Sequence, residues 1–298
     1  MRTLMVFLDV LYKAIDLPMR ISLFVKNRLM GKSKFSTTQK SDSDSTPYSD
    51  FVSATVRDDK KLDKFRRAYS YRMILEHVDF KLGYEYLSRL TPTTIAFYLN
   101  DPTLKNLSKV GSPRVYYYPQ LGWISPTVIR YLYVTQRVLD LFSSKGVQKV
   151  GEIGIGFGGQ FAITSKSLPL TEYSLYDLPV VLTLAEKAIG KANLLNGSFK
   201  QQSIDPVVPN SFDLVISNYA FSELPADVQR DYILKIFKNT PCGYLTMNSG
   251  RSDVTGRSFG KMSLAEIKAA IPSCEILEED PITGPDNYII VWGHQVSE

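Results

Sequence analysis

Histidine and cysteine are nearly absent from this 298-residue chain, which holds only His77, His294, Cys242 and Cys274. A zinc centre draws its ligands largely from these two residue types, so the composition argues against one. Two thiols build no secreted-type disulfide framework, and a reducing, cytoplasmic compartment is the simpler expectation. Long apolar runs are missing too. The first thirty residues are apolar in stretches but are interrupted by Asp9, Lys13, Asp16 and Arg20. A spanning helix needs roughly 18–20 uninterrupted apolar residues, and no cleavage site of signal-peptide type is recognisable. Basic charge is lacking where a nucleic-acid groove would need it. Residues 1–40 carry eight Lys/Arg and two Asp, a net +6, against +5 for the whole chain, so the remainder sums to −1. A nearly neutral body argues against nucleic acid as a partner. No tight acidic cluster falls in the loops after the strands, and no metal is expected.

What is present divides into four parts. Residues 1–30 form a basic arm in which Leu4, Phe7, Leu8, Leu11, Ala14 and Ile15 recur at helical spacing. Two readings of it stay open: docking on its own domain or on a second copy in a homo-oligomer, and peripheral contact with the inner face of a membrane. Residues 31–47, GKSKFSTTQKSDSDSTP, are polar throughout and read as a flexible linker. Residues 48–123 form a substrate-side extension, helical to about residue 90. The charges from Arg57 to Arg67 read as a solvated helix face. Pro92, Pro102, Gly111, Pro113, Pro119 and Gly122 then make long helices unexpected over 91–123. That stretch is aromatic. Tyr116, Tyr117, Tyr118 and Trp123 are candidates for a substrate wall, or else rings that tie an irregular segment to the core.

From residue 124 to 298 strands and helices alternate. Ser125 and Pro126 open a helix in N-cap and first-turn positions. Strand-like segments then follow at 147–156, 172–178, 197–204, 212–218 and 242–249, with helical segments between them. Two final strands, 274–280 and 287–294, are joined only by PITGPD. So short a connection makes them antiparallel neighbours, because a parallel crossover needs a dozen or more residues. The expectation is an α/β fold: a doubly wound, mostly parallel, seven-stranded Rossmann-like sheet with an antiparallel last strand.

The first strand of this domain runs into EIGIGFGG, Glu152 to Gly159. A glycine turn that opens a helix lets backbone N–H groups approach a ligand, and Gly154, Gly156 and Gly158 leave room for that. Alone the pattern does not choose among nucleotides, dinucleotides and S-adenosylmethionine. Glu152 beside the turn disfavours phosphate and favours a cofactor with a positive sulfonium and amino group. Asp177, at the end of the next strand, can accept both ribose hydroxyls. Asn218, followed by Tyr219, ends the fourth strand, where its amide can serve the amino-acid end of S-adenosylmethionine.

EIGIGFGG, YDLP and FDLVISNYAFSELP together resemble the sugar O-methyltransferases encoded in bacterial polysaccharide gene sets, as does GSPRVYYYPQLGWISPTVIRYLYV upstream. The likeness covers about residues 50–294. It implies a class I methyltransferase sheet, S-adenosylmethionine as cofactor, and a sugar, glycan or other small molecule as acceptor. In many class I enzymes an acidic residue ends the third strand and contacts adenine. Here Gln202 and Ser203 stand in that region. A hydroxyl is a weak nucleophile, so a base should take its proton. Glu223, His294 and His77 are the candidates. Alternatives are a lipid, quinone or aromatic acceptor, and a catalytically silent scaffold of the same fold.

Overall fold

The computed structural model describes residues 3–14, 46–194, 199–252 and 259–294. Residues 3–14 form helix α1. The rest of the expected arm, and residues 31–45 of the expected linker, lie outside the described residues. The extension supplies α2 (Thr46–Val56), α3 (Asp59–Leu62), α4 (Tyr69–Leu75), α5 (Phe80–Leu87) and α6 (Pro92–Asn100), then a hairpin of β1 (Tyr116–Tyr118) and β2 (Gly122–Ile124). The second part runs α7 (Pro126–Phe142), β3 (Lys149–Ile153), α8 (Gly159–Ser167), β4 (Glu172–Asp177), α9 (Pro179–Lys191), β5 (Phe199–Ser203) and β6 (Leu214–Asn218). It closes with α10 (Ala220–Glu223), α11 (Ala226–Lys235), β7 (Cys242–Met247), α12 (Leu264–Ala270), β8 (Glu275–Glu278) and β9 (Tyr288–Trp292).

The seven strands β3 to β9 lie in the order β5-β4-β3-β6-β7-β9-β8. Pairing is parallel from β5 to β7, whereas β9 runs antiparallel to both β7 and β8. This is the class I methyltransferase architecture that the closing strands imply. Both faces are covered, so the central strands are apolar almost without interruption; β7 and β9 are buried along their whole length. Alternation sorts the side chains. Leu214 and Ile216 join the layer with α7, α8 and α9, while Val215 between them joins the layer with α11 and α12. The strand order reverses between β3 and β6. That switch point puts the carboxyl ends of β3, β4 and β6 around one crevice.

Two local expectations are corrected. Over residues 91–123 the one α-helix among the described residues is the short α6. Pro92 stands in its first turn, where a missing N–H costs nothing, and the Thr91 hydroxyl accepts from Thr94 N at 3.2 Å. Ser125 precedes α7 but makes no side-chain cap; its Oγ instead accepts from Arg66 Nη2 at 3.3 Å. Arg66 itself is no solvated helix residue. It is fully buried, paired with Glu76, and donates to Leu107 O at 2.7 Å. Glu76 in turn accepts from Thr127 Oγ1 at 2.7 Å. The extension is thus fastened to the start of α7 by a buried ion pair.

Candidate functional site

The glycine turn is built by its neighbours. Gly154, Gly156 and Gly158 have φ of +78°, +54° and +82°, a region that side chains avoid. At Gly154 and Gly158 protein closes the space: a Cβ would come within 1.9 Å of Ala220 Cβ and 2.2 Å of Ile189 Cδ1. Gly156 is different. A Cβ there would meet only Leu75 and the Tyr71 hydroxyl, at 3.6 and 3.8 Å. Asp177 holds the turn in shape. Its Oδ2 accepts from Ile155 N at 2.8 Å and Gly156 N at 3.2 Å, and its Oδ1 accepts from Leu178 N at 2.8 Å. The carboxylate therefore organises the backbone at the end of β4, where the ribose function was expected of it.

Glu152 does not stand as the sequence suggests. It is 1% exposed, and its Oε2 accepts from the Tyr173 hydroxyl at 2.7 Å. Burial raises its carboxyl to about 8, against the Tyr173 hydrogen bond, which lowers it; nearby Asp177 adds to the rise. Burial thus favours the neutral carboxyl, and a neighbouring positive charge would favour the ionised one.

Asn218 and Tyr219 meet the expectation of place. Asn218 ends β6, its Oδ1 accepts from Arg130 Nη2 at 3.4 Å, and its Nδ2 is buried with no partner among the described residues. Tyr219 follows with φ of +71°, a strained conformation for a tyrosine. Its ring lies under the Arg130 guanidinium at 4.7 Å. Its hydroxyl donates to Glu279 and is 2.8 Å from Thr283 Oγ1. Glu279 is buried and also accepts from Thr283 N at 2.8 Å and Asn287 Nδ2 at 3.0 Å.

Three residues here were not singled out from sequence. Arg130 sits half-buried on α7, and among the described residues no carboxylate lies within ion-pair distance of it. Its signal was present: one charge inside the apolar run PTVIRYLYV. Tyr71 on α4 is completely buried, and among the described residues its hydroxyl has no hydrogen-bond partner, although it lies beside Gly156. Glu279 gave no signal, since only the fold brings the β8–β9 turn to Tyr219.

The remaining candidates separate by edge. Glu223 ends α10, half-buried at the carboxyl edge, and its Oε1 accepts from Asn248 Nδ2 at 2.9 Å just beyond β7. His294 lies at the opposite edge. Because β9 is reversed, its end returns to the amino ends of the parallel strands, where His294 faces Glu275 at 3.5 Å. It is removed as a base. His77 bonds Ile74 O and lines a cavity with Asp9, Lys13 and Asp79; no lining residue there belongs to the glycine turn or the ends of β3, β4 or β6. Gln202 and Ser203 end the edge strand β5, where Ser203 Oγ donates to Asp205 O at 2.6 Å. The aromatic wall is corrected in part. Tyr116 and Tyr118 are buried, and their hydroxyls donate to Asp9 Oδ1 at 2.8 Å and Phe80 O at 3.0 Å. They tie the hairpin to α1 and α5. Tyr117 and Trp123 stack edge to face at 5.8 Å on its outer side.

No family model matches the chain, and no curated protein does. Solved structures are similar to part of it. An O-methyltransferase family protein from Burkholderia thailandensis is 14% identical over 58% of either chain, with a TM-score of 0.42. The mitomycin 7-O-methyltransferase MmcR is 14% identical over 55% of this chain and 56% of its own, with a TM-score of 0.40. The methyltransferase domain of bacterial CtHen1-C is 15% identical over 55% of this chain and 95% of its own, with a TM-score of 0.41. This chain thus matches under two thirds of the length of the first two. Likeness at this level assigns no cofactor or acceptor.

Proposed function

We propose that this chain is an S-adenosylmethionine-dependent O-methyltransferase whose acceptor is a hydroxyl of a sugar or glycan. One observation carries the cofactor reading. Tyr71 Oη beside the glycine turn and Asn218 Nδ2 at the end of β6 are buried with no hydrogen-bond partner among the described residues, and Arg130 reaches Asn218 Oδ1. A buried polar atom without a partner is costly, so these two groups support a ligand there. The set fits this cofactor. Arg130 and Asn218 would hold the carboxylate and amino group of its amino-acid end. Tyr71 would bond the nucleoside beside Gly156.

When bound, S-adenosylmethionine supplies a methyl group on a sulfonium, an electrophile that needs alignment more than further activation. The residues of the carboxyl edge do the rest. Asn248 orients the Glu223 carboxylate by donating to it, and Glu223 accepts the proton of the acceptor hydroxyl. The choice of a sugar rests on the sequence resemblance over residues 50–294. A lipid or quinone acceptor is the second reading, favoured by the bare apolar side of α1.

Incubation with methyl-labelled S-adenosylmethionine and separate pools of nucleotide sugars, glycans, lipids and quinones tests the acceptor. Label is expected in the carbohydrate pools. Label confined to lipid or quinone overturns the sugar reading and leaves the cofactor reading intact.

A further inference from the structure

Helix α1 is apolar around nearly its whole circumference. One side is docked. Met5 is buried, Leu8 and Tyr12 are half-buried, and Asp9 accepts from the Tyr116 hydroxyl. Lys13 is paired with Asp9 at 2.9 Å and Asp79 at 2.6 Å, so both charged side chains of the helix are engaged with its own protein or with each other. The other side carries Leu4, Val6, Phe7, Val10 and Leu11, each 44–62% exposed. At about 100° per residue these five fill one continuous arc. A helix side that faces water is ordinarily charged or polar, and this one holds five large apolar residues, with only Thr3 and Ala14 among them. Trp123, 56% exposed, stands on the hairpin that α1 packs against. There Tyr117 N donates to Met5 Sδ at 3.3 Å.

Two covers are conceivable, a second copy of the chain or a lipid surface, and charge separates them. The first forty residues sum to +6, and Arg20, Lys26, Arg28, Lys32 and Lys34 follow α1 closely in the chain. A two-fold contact through α1 would bring two such arms together, and like charges repel. An anionic bilayer attracts the same charges while the apolar arc enters the acyl boundary. An exposed tryptophan suits the headgroup level. We propose that α1 is a membrane-surface helix that lays Leu4, Phe7, Val10 and Leu11 on anionic phospholipid, with the basic residues after it supplying the attraction. Among the described residues no helix is long and apolar enough to cross a membrane, so the contact is peripheral.

The full chain should be sedimented with vesicles of phosphatidylcholine alone and with vesicles containing phosphatidylglycerol. Binding is expected to the second, to weaken at high salt, and to fall at least tenfold in the double variant Phe7→Glu, Leu11→Glu. A second variant, Arg20→Gln, Lys26→Gln, Arg28→Gln, leaves α1 untouched and should lose the preference for anionic vesicles. Near-ultraviolet circular dichroism should be unchanged in both. Equal binding to neutral and anionic vesicles, or no binding to either, overturns the proposal. So does a dimer in light scattering that Phe7→Glu, Leu11→Glu converts to monomer.

Discussion

The Arg130 guanidinium lies 4.7 Å over the ring of Tyr219 while one of its nitrogens reaches Asn218 Oδ1. This contact spans the strand-order reversal, from α7 before β3 to the end of β6. The strained φ of Tyr219 holds its ring beneath the cation. A positive charge is fixed there with no ion pair among the described residues, the Glu279 carboxylate acting on it from beyond the Tyr219 hydroxyl. Replacing Arg130 by Met should weaken S-adenosylmethionine binding about 10- to 100-fold, the worth of a hydrogen bond to a charged group. Arg130→Lys should recover only part of that, because the planar fork is lost. Titration calorimetry on the three proteins checks it; equal affinities would remove Arg130 from the site.

Tyr71→Phe should separate binding from stability. Among the described residues the hydroxyl has no hydrogen-bond partner. Its removal should therefore leave the melting temperature unchanged or raise it, while cofactor affinity falls several-fold, by about 0.5–1.5 kcal/mol. Loss of stability together with unchanged affinity would make Tyr71 an ordinary core residue.

Glu223→Gln should lower kcat about 10²- to 10⁴-fold, the usual contribution of a general base, with cofactor affinity kept. His294→Gln, at the far edge of the sheet, should leave kcat within about twofold, because the residue lies at the amino ends of the parallel strands, away from the crevice. Single-turnover rates on the acceptor found in the labelling experiment distinguish the two. The reverse ranking would mean that the edge assignment is wrong.

Stability should depend on the proton held by Glu152. Its carboxyl is raised from 4.5 to about 8 in the folded protein by burial. The folded state thus binds the proton more tightly than the unfolded chain. The resulting stabilisation is full below pH 4.5 and is lost as pH rises toward 8. Glu152→Gln keeps an acceptor for the Tyr173 hydroxyl and cannot ionise. The variant should gain in melting temperature over the native chain at pH 9 relative to the difference at pH 5. A difference that does not change with pH would show that Glu152 is not buried as a neutral acid.

Much of the fold was legible because two periodicities and the turn residues agreed. The short PITGPD link gave the reversed β9, and the glycines gave the turn after β3. Position was legible where a residue sits at a strand end, as Asp177 and Asn218 do. Role was not legible where it depends on what a distant segment brings. Glu152 is adjacent to the turn in sequence, but strand alternation sends its side chain under α8 toward Tyr173. His294 ends a strand, and the reversal of that strand carries it to the wrong edge. Tyr71 and Glu279 reach the crevice only through tertiary packing, so no local pattern marks them. Tyr116 and Tyr118 show the opposite error: aromatic density read as a ligand wall is used as core.

The cofactor is the centre of the account, and direct binding is its plainest test. Titration calorimetry of the full chain should show one site for S-adenosylmethionine and for S-adenosylhomocysteine, no heat with NAD, and loss of affinity in Arg130→Met and Tyr71→Phe. Binding of NAD without either adenosyl ligand, or of none of the three, would contradict it.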